Sequence, residues 1–312
     1  MISYVDQPTP IKDLLEIKRQ KAFIHTAAKI RFLGIEGYDG YNISQAFTHQ
    51  YRTYIAARVE KRASELSEIR IFEKVGEDVF ELIDQCLCLM QDPFVTFGHE
   101  NILIGGTKIE LDERRHISNY YTQVFGGKTL AELKPLFRAP DRMKDVRVLV
   151  DHGIHLFSRP QGGPRGPGMI GYRYFDSCQD ISPQAIQEAE VLDHHFIATQ
   201  WGGVNQVLLL KNGLLGIVGH IAMMNGDQIR HYYGMVFAFD PKTKRSTQIK
   251  IICERSDFPD GPAKRSDLVD VVFLGGMNRL HNGYAEIYTG LSDCEAGYAM
   301  IHDPFLEWEL DR

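Results

Sequence analysis

The stretch QDPFVTFGHENILIGG, residues 91–106, has a polar start, a short apolar strand, a turn rich in Gly, His and Asn, and a second apolar strand. The pattern recurs in KDVRVLVDHGIHLFSR at 144–159, VNQVLLLKNGLLGIVG at 204–219 and DVVFLGGMNRLHNGYAEIYTG at 270–290, and more weakly in YNISQAFTHQYRTYIAARVE at 41–60. The residues that lead the copies are Asn42, Asp92, Asp145, Asn205 and Asp270. Because they follow one another at intervals of about 50 to 65 residues, the period indicates a propeller or a solenoid.

Each copy leaves room for further strands, and residues 231–255 read as a hairpin with an Asp-Pro-Lys-Thr turn. Units of about four strands, repeated five times, predict an all-β fold, a five-bladed β-propeller. A β-helix would need a much shorter period, and a β-sandwich would not repeat its lead residue. We expect one propeller domain over residues 1–312, with residues 1–36 as a lead-in that packs on it and holds a short helix after Pro10.

The composition argues against several classes of function. A net charge of -6 gives no reason to expect a nucleic acid partner. Residues 1–20 lack the apolar core of a secretory signal, and no stretch approaches the ~20 apolar residues of a membrane span. The chain has five cysteines, and the spacing of Cys86 and Cys88 is not a zinc pattern. We expect a cytoplasmic protein with reduced thiols, no metal, no cofactor and no membrane partner.

In a propeller the innermost strand of each blade lines the central channel, so the lead residues should meet at one end of the axis. A single Asp before a strand, such as Asp92 before Pro93, usually satisfies backbone donors. A ring of acids is costly unless it binds something, and clustered acids raise the pKa of at least one member. We read Asp293, in the turn Leu-Ser-Asp, as structural. The lead residues thus predict a ligand site in which one carboxylic acid donates a proton.

Further candidate residues lie after the third and fourth copies. A Gly/Pro-rich loop holds Arg159 and Arg165, which is consistent with a solvated loop or with an anion cradle of guanidinium groups and backbone amides. His220 ends the fourth copy and Tyr233 follows it. Both residue types are often structural, but beside arginines they can bind phosphate or sugar hydroxyls. Trp201 can stack on a sugar or pack in the core.

Short motifs occur in order along nearly the whole chain: Tyr-Asn-Ile-Ser at 41–44, Gln-Asp-Pro-Phe-Val at 91–95, Lys-Asp-Val-Arg at 144–147, Arg-Pro-Gln-Gly at 159–162, Trp-Gly-Gly-Val-Asn at 201–205, Gly-His-Ile-Ala at 219–222 and Asp-Val-Val-Phe-Leu-Gly-Gly at 270–276. Together they resemble the mannosyltransferase/phosphorylases of Leishmania and some bacteria, glycosyltransferase family 108, once catalogued as a domain of unknown function. The resemblance implies a five-bladed propeller, in agreement with the repeat count. It also implies β-1,2-mannan chemistry, with reversible phosphorolysis to mannose 1-phosphate and, in some members, transfer from GDP-mannose.

A more distant similarity is to the β-mannoside phosphorylases of glycoside hydrolase family 130, in which a Glu-Asp-Pro-Arg stretch supplies the catalytic Asp. Asp92 matches that Asp, whereas Gln91 and Phe94 replace the flanking Glu and Arg. We hypothesise an inverting transfer in which Asp92 is the general acid and phosphate is the nucleophile, so that no enzyme base is needed. The residues expected to bind phosphate are Arg159, Arg165, His220 and Tyr233, and those expected to bind sugar hydroxyls are Asp39, Asn42, Asp145, Asn205 and Asp270.

The expected partners are a mannose-containing oligosaccharide, phosphate or mannose 1-phosphate and, for an elongating enzyme, GDP-mannose. Two alternatives remain open. A five-bladed glycoside hydrolase would need a second carboxylate to activate water, for which Asp145 or Glu254 could serve. A non-catalytic propeller that binds a glycan or a protein would not require Arg159 or Arg165.

Overall fold

The computed structural model describes residues 2–21, 23–98, 100–162, 166 and 168–309. Within them most of the chain is β-strand, and the α-helices are α1 (Ile11–Arg19), α2 (Pro183–Gln187) and α3 (Leu306–Glu309). None of the helices among the described residues combines the length and the apolar character that crossing a bilayer requires. The predictions of an all-β class and of a short helix after Pro10 are confirmed.

The strand β1 (Ile24–Lys29) belongs to the last sheet along the chain, and the first sheet begins after it. The strands of the first sheet are β2 (Arg31–Leu33), β3 (Asp39–Tyr41), β4 (Phe47–His49), β5 (Arg52–Glu60), β6 (Glu68–Lys74) and β7 (Val79–Cys88). They lie in the order β2-β7-β6-β5-β3, with β4 also paired to β5. All of these pairings are antiparallel except that of β2 with β7.

Two antiparallel sheets follow in chain order. One consists of β8 (Met90–Gly98), β9 (Asn101–Leu111), β10 (Ile117–Gly127) and β11 (Lys134–Arg138). The other consists of β12 (Arg147–Asp151), β13 (Gly153–Ser158), β14 (Ile170–Phe175) and β15 (Glu190–Leu192). In both sheets the strands pair in sequence order, so each is a simple meander.

The remaining strands form one continuous sheet made of two meanders. The first meander has β16 (Gln200–Leu209), β17 (Leu215–Met224), β18 (Arg230–Asp240), β19 (Arg245–Ser246) and β20 (Lys250–Cys253), and the second has β21 (Asp270–Arg279), β22 (Tyr284–Leu291) and β23 (Glu295–His302). They meet where β18 pairs in parallel with β21 at His231 with Asp270 and Tyr232 with Val271. The second meander is completed by β1, which pairs with β23.

The strand–turn–strand copies seen in the sequence form antiparallel pairs. The pairs are β8 with β9, β12 with β13, β16 with β17 and β21 with β22. Their leading strands contact one another in turn, β8 with β12, β12 with β16 and β16 with β21, and β5 of the first sheet contacts β8. The leading strands of successive sheets therefore lie side by side.

Helix α1 packs against the meander of β16 to β20. Its apolar side buries Ile11 and Leu14 in a core cluster with residues of β17 and β18. Lys18 lies one turn after Leu14 on the same face and is also buried, with its Nζ 2.8 Å from Glu254 and 2.7 Å from Asp257. Full burial of two such aliphatic side chains contributes about 1.5–3 kcal/mol each. Residues 11–19 are thus packed against the meander of β16 to β20, and residues 24–29 are themselves a strand of the last sheet.

Candidate active site

Polar and charged side chains line a cavity of about 340 Å³ where the leading strands begin. Among the described residues its acidic side chains are Glu65, Asp92, Asp145 and Asp293, and its basic ones are Arg58, Lys144, Arg159, Arg230 and Arg265. Further residues that line the cavity are Asn42, Gln91, His220, Tyr232 and Phe273. Opposite charges in one concave site are suited to a ligand that carries both hydroxyl and anionic groups.

The lead residues of the first three copies enter the cavity through an unusual backbone conformation. Asn42, Asp92 and Asp145 have φ values of 42°, 51° and 60°, the left-handed region that Asn and Asp tolerate better than other side chains. The register of β8 against β9 also shifts between Gln91 and Phe94, and such bulges re-aim side chains next to functional sites. The choice of Asn or Asp at these positions therefore has a backbone cause as well as a chemical use.

Asp92 is buried and held at one of its two carboxylate oxygens. Asn42 donates from Nδ2 to Oδ1 at 2.9 Å, and Arg58 approaches the same oxygen from Nη1 at 3.4 Å. Because both contacts are to Oδ1, the carboxyl group is oriented and Oδ2 can be presented to a ligand. This is the orientation that a proton donor or acceptor needs.

A buried charge network fixes Arg58 beside Asp92. Arg58 donates from Nη2 to Glu60 at 2.9 Å and to Glu65 at 3.1 Å. Glu60 is in turn bonded by Tyr41 and Lys264. The surplus of acidic partners keeps the guanidinium charge compensated, as a buried ion requires.

Asp293 lies in the same cavity, although the sequence indicated a structural turn residue. Its φ is 54°, so it enters the site in the same left-handed conformation as the lead residues. Burial raises the pKa of Asp293; Arg58 opposes this shift and the charge of Asp92 adds to it. A pair of acids in which one holds its proton was predicted for the lead residues, and the structure locates the raised pKa at Asp293.

Asp145, in contrast to Asp293, is an ionised carboxylate that lies between cations. Arg159 lies 2.8 Å from its Oδ2 and Arg147 lies 3.7 Å from its Oδ1. Burial alone would raise the pKa of Asp145, but Arg159, Lys144 and Arg147 hold that pKa well below its usual range. Arg147 also lies 4.6 Å from the ring centre of Phe94, so the phenylalanine that replaces the Arg of the distant motif packs under a guanidinium group.

His220 is a neutral imidazole at the cavity wall. Burial lowers its pKa to about 3, and its Nδ1 lies 2.8 Å from Oδ1 of Asn205. Its ring stacks on that of Tyr232, with centres 5.6 Å apart, and Trp201 donates to the Tyr232 hydroxyl at 3.1 Å. If Nδ1 carries the proton toward Asn205, Nε2 is a hydrogen-bond acceptor for a ligand hydroxyl.

The predicted site residues are therefore not all in one place. Asn42, Asp92, Asp145, Arg159 and His220 line the cavity, and Asn205 lies behind His220. Asp39 is paired with Arg62, and Asp270 lies 2.6 Å from Nδ1 of His231 and 3.5 Å from the Tyr233 hydroxyl. None of Asp39, Asp270 and Tyr233 is among the cavity-lining residues. Arg165 is outside the described residues.

Several cavity residues were missed by the sequence reasoning. Lys144 is part of the Lys-Asp-Val-Arg motif and adjoins Asp145, which could have indicated it. Arg58 is in the middle of β5 and Asp293 is in a turn after β22, and neither shares the position of the lead residues. Nothing local in the sequence relates these two residues to Asp92.

Comparison with known proteins agrees with this fold. The chain matches the family described as "Protein of unknown function (DUF1861)" over residues 16–307, and a comparison with curated proteins finds no match. It is similar to MPT-4, a mannose phosphorylase from Leishmania mexicana solved in complex with phosphate ion, at 32% identity and a TM-score of 0.89, covering 95% of this chain and 94% of that chain. It is also similar to MPT-1, a GDP-Man-dependent mannosyltransferase from Leishmania mexicana, at 29% identity and a TM-score of 0.86, covering 95% of this chain and 96% of that chain.

A more distant structure shares the fold. The beta-1,2-mannobiose phosphorylase from Listeria innocua is 14% identical, with a TM-score of 0.59 over 88% of this chain and 94% of that chain. The predicted resemblance to the Leishmania proteins is confirmed, and the prediction that the chain is an enzyme is confirmed by its similarity to a phosphorylase and a glycosyltransferase. Since the family match extends over most of its length, the chain belongs to the DUF1861 family.

Proposed function

We propose that this enzyme transfers mannosyl units between a β-1,2-linked mannoside and phosphate, by inversion, with Asp92 as the proton donor. The observation that carries the proposal is the held carboxyl group of Asp92, bound at Oδ1 by Asn42 and Arg58 inside a cavity rich in cations. Further support comes from the 32% identity to a mannose phosphorylase that was solved with phosphate.

In the proposed reaction the phosphate oxygen attacks the anomeric carbon while the bond to the leaving sugar oxygen breaks. Asp92 gives its proton to that oxygen, directly or through a substrate hydroxyl, and the products are mannose 1-phosphate and the shortened mannoside. In reverse, the carboxylate of Asp92 accepts the proton of the acceptor hydroxyl.

The proposed phosphate side of the cavity is formed by Lys144, Arg159 and His220. The Lys144 ammonium and the Arg159 guanidinium supply positive charge, and Arg159 is positioned by its 2.8 Å contact with Asp145. Neutral His220 would accept a hydrogen bond from a protonated phosphate oxygen or a sugar hydroxyl. The predicted contacts of Arg165 and Tyr233 with phosphate stay predictions.

The proposed sugar side is formed by Asn42 and Asp92, with Asp293 facing the same space. An acid that keeps its proton can donate one hydrogen bond and accept others from sugar hydroxyls. The predicted sugar contacts of Asp39, Asn205 and Asp270 stay predictions, and so does the use of GDP-mannose.

We also propose that the sheets are five blades around one axis. Support comes from the leading strands, which contact one another in turn, and from the meander of β16 to β20, which joins that of β21 to β23 through only the two residue pairs at β18 and β21. In this view β1 completes the last blade beside β23.

The geometry disfavours Asp145 and Glu254, the two carboxylates that the sequence suggested for activating water in a hydrolase. Asp145 is held as an ion pair by two arginines, and Glu254 is bound to Lys18 beside α1, apart from the cavity-lining residues. An inverting hydrolase needs a second carboxylate that can take a proton from water.

The test is the release of mannose 1-phosphate from β-1,2-mannobiose, with and without phosphate. We expect release that depends on phosphate and is lost in Asp92→Asn, while Asp151→Asn, a change at the far end of β12, retains it. Free mannose formed without phosphate would refute the proposal, as would Asp92→Asn with undiminished release and a normal melting temperature. A parallel assay with GDP-mannose and an acceptor would show whether the nucleotide sugar is also used.

A further inference from the structure

Cys86 and Cys88 of β7 lie outside the cavity, and their side chains converge with Glu68 of the neighbouring strand β6. Antiparallel pairing places Cys88 opposite Glu68 and Cys86 opposite Arg70, so these side chains share one face of the sheet. The two Sγ atoms are 3.4 Å apart. Both sulfurs and a carboxylate oxygen of Glu68 lie within 4.8 Å of one another. The cysteine spacing alone is not a zinc pattern, but the sheet adds a third ligand from another strand.

We infer that Glu68, Cys86 and Cys88 bind a thiophilic divalent cation such as Zn²⁺, with water as a further ligand. Tetrahedral zinc with Zn–S bonds of about 2.3 Å spaces two sulfur ligands by roughly 3.7 Å, so a small opening of the observed pair suffices. Two thiolates select soft or borderline cations over Mg²⁺ and Ca²⁺, which prefer oxygen ligands. The site is half-buried to exposed, so a cation can enter without unfolding of the sheet.

Arg70 supports the ligand set without occupying it. Its Nε and Nη2 contact Oε2 of Glu68 at 2.8 Å and 2.7 Å. Because both contacts are to one oxygen, the carboxylate is oriented and can present Oε1 to a cation, which is how outer groups position metal ligands. Two thiolates and one carboxylate carry three negative charges, which a divalent cation and Arg70 together neutralise.

A redox role for this dithiol is less well supported. Burial, the contact with Cys88 and the charge of Glu68 together raise the pKa of Cys86 to about 12. A reactive thiol needs the opposite environment, one that lowers its pKa. A cation is the partner that would replace the thiol protons directly.

The test is titration of the reduced full-length protein with Co²⁺, followed by displacement with Zn²⁺. We expect one ion per chain and a sulfur-to-cobalt charge-transfer band that Zn²⁺ removes. Cys86→Ser and Cys88→Ser should each weaken binding about tenfold or more, and Glu68→Gln should weaken it while retaining the band at saturation. Cys178→Ser, a half-buried cysteine in another part of the chain, is the matched control and should bind as the parent does.

Absence of the charge-transfer band would overturn the inference, as would a band that persists in the double variant Cys86→Ser/Cys88→Ser. Cobalt can also bind at His25 and His302, whose Nε2 atoms are 2.8 Å apart. Binding there involves no sulfur and is abolished by His25→Ala. Cobalt uptake that depends on His25 and produces no charge-transfer band would therefore count against the site at Cys86 and Cys88.

Discussion

Replacing Asp145 with asparagine tests the electrostatics of the cavity without changing the shape of the side chain. Asp145 is 2% exposed, and its partners Arg159 and Arg147 are 5% and 2% exposed. Removing one partner of a buried ion pair costs about 3–5 kcal/mol, because the other charge stays buried without compensation. Asparagine keeps one oxygen for a neutral hydrogen bond from Arg159, so we expect a loss near the lower end, about 3 kcal/mol.

The assay is equilibrium urea unfolding followed by the fluorescence of Trp201 and Trp308. Asp151→Asn, at the partly exposed end of β12, is the matched control and should change the free energy of unfolding by no more than about 0.5 kcal/mol. Adding Arg159→Gln to Asp145→Asn should recover part of the loss, because the uncompensated charge is then removed. If the free energy of unfolding of Asp145→Asn is within about 1 kcal/mol of that of the parent protein, Asp145 is not the counter-ion that this geometry describes.

The pH dependence provides a second measurement on the same variant. The pKa of Asp145 is lowered in the folded state, so its stabilising contribution is complete above the ordinary Asp value of about 3.9 and is lost as the pH falls below it. The parent protein should therefore lose more stability than Asp145→Asn over this acid range. Parallel stability curves for the two proteins would contradict the assignment.

Three further changes test the two sides of the cavity. Lys144→Ala should raise KM for phosphate roughly ten- to a hundredfold, the equivalent of a lost charged hydrogen bond of about 1.5–3 kcal/mol, whereas exposed Lys128→Ala should not; equal effects would refute the phosphate role. Asp293→Asn should retain more activity than Asp293→Ala, because an amide can replace a protonated acid as donor; equal loss in both would show that the charge is required. Tyr233→Phe should leave KM for phosphate unchanged, because the Tyr233 hydroxyl is directed to Asp270 at 3.5 Å. A large increase in KM would instead support the predicted contact of Tyr233 with phosphate.

The repeat in the sequence predicted the sheets and part of the site. A period of strand, turn and strand is local information, and it singled out Asn42, Asp92 and Asp145, which line one cavity in the structure. It did not distinguish them from Asp270, which is the first residue of β21 and pairs directly with His231 of β18. The difference lies in the backbone conformation. Asn42, Asp92 and Asp145 are in the left-handed region, whereas Asp270 is hydrogen-bonded within the sheet. The strand–turn–strand pattern of the sequence does not separate these two cases.

The cavity residues that the repeat did not indicate depend on contacts between different sheets. Arg58 reaches Asp92 from β5, and Lys264 reaches Glu60 across 204 positions of sequence. Asp293 meets Asp92 and Arg58 only because its turn lies at the cavity. These contacts depend on how the sheets are arranged around the cavity, which no spacing within one copy specifies.

The pairing of β1 with β23 has a consequence for how the chain folds. Lys29 is opposite Gly297 and Ala27 is opposite Ala299, so the last meander cannot be completed until nearly the whole chain has left the ribosome. Contacts between residues so distant in sequence form late and slow the folding reaction. A circular permutant that links the segment after α3 to the segment before α1 would keep both helices and bring β23 and β1 close together in sequence, and we expect it to fold faster than the natural order.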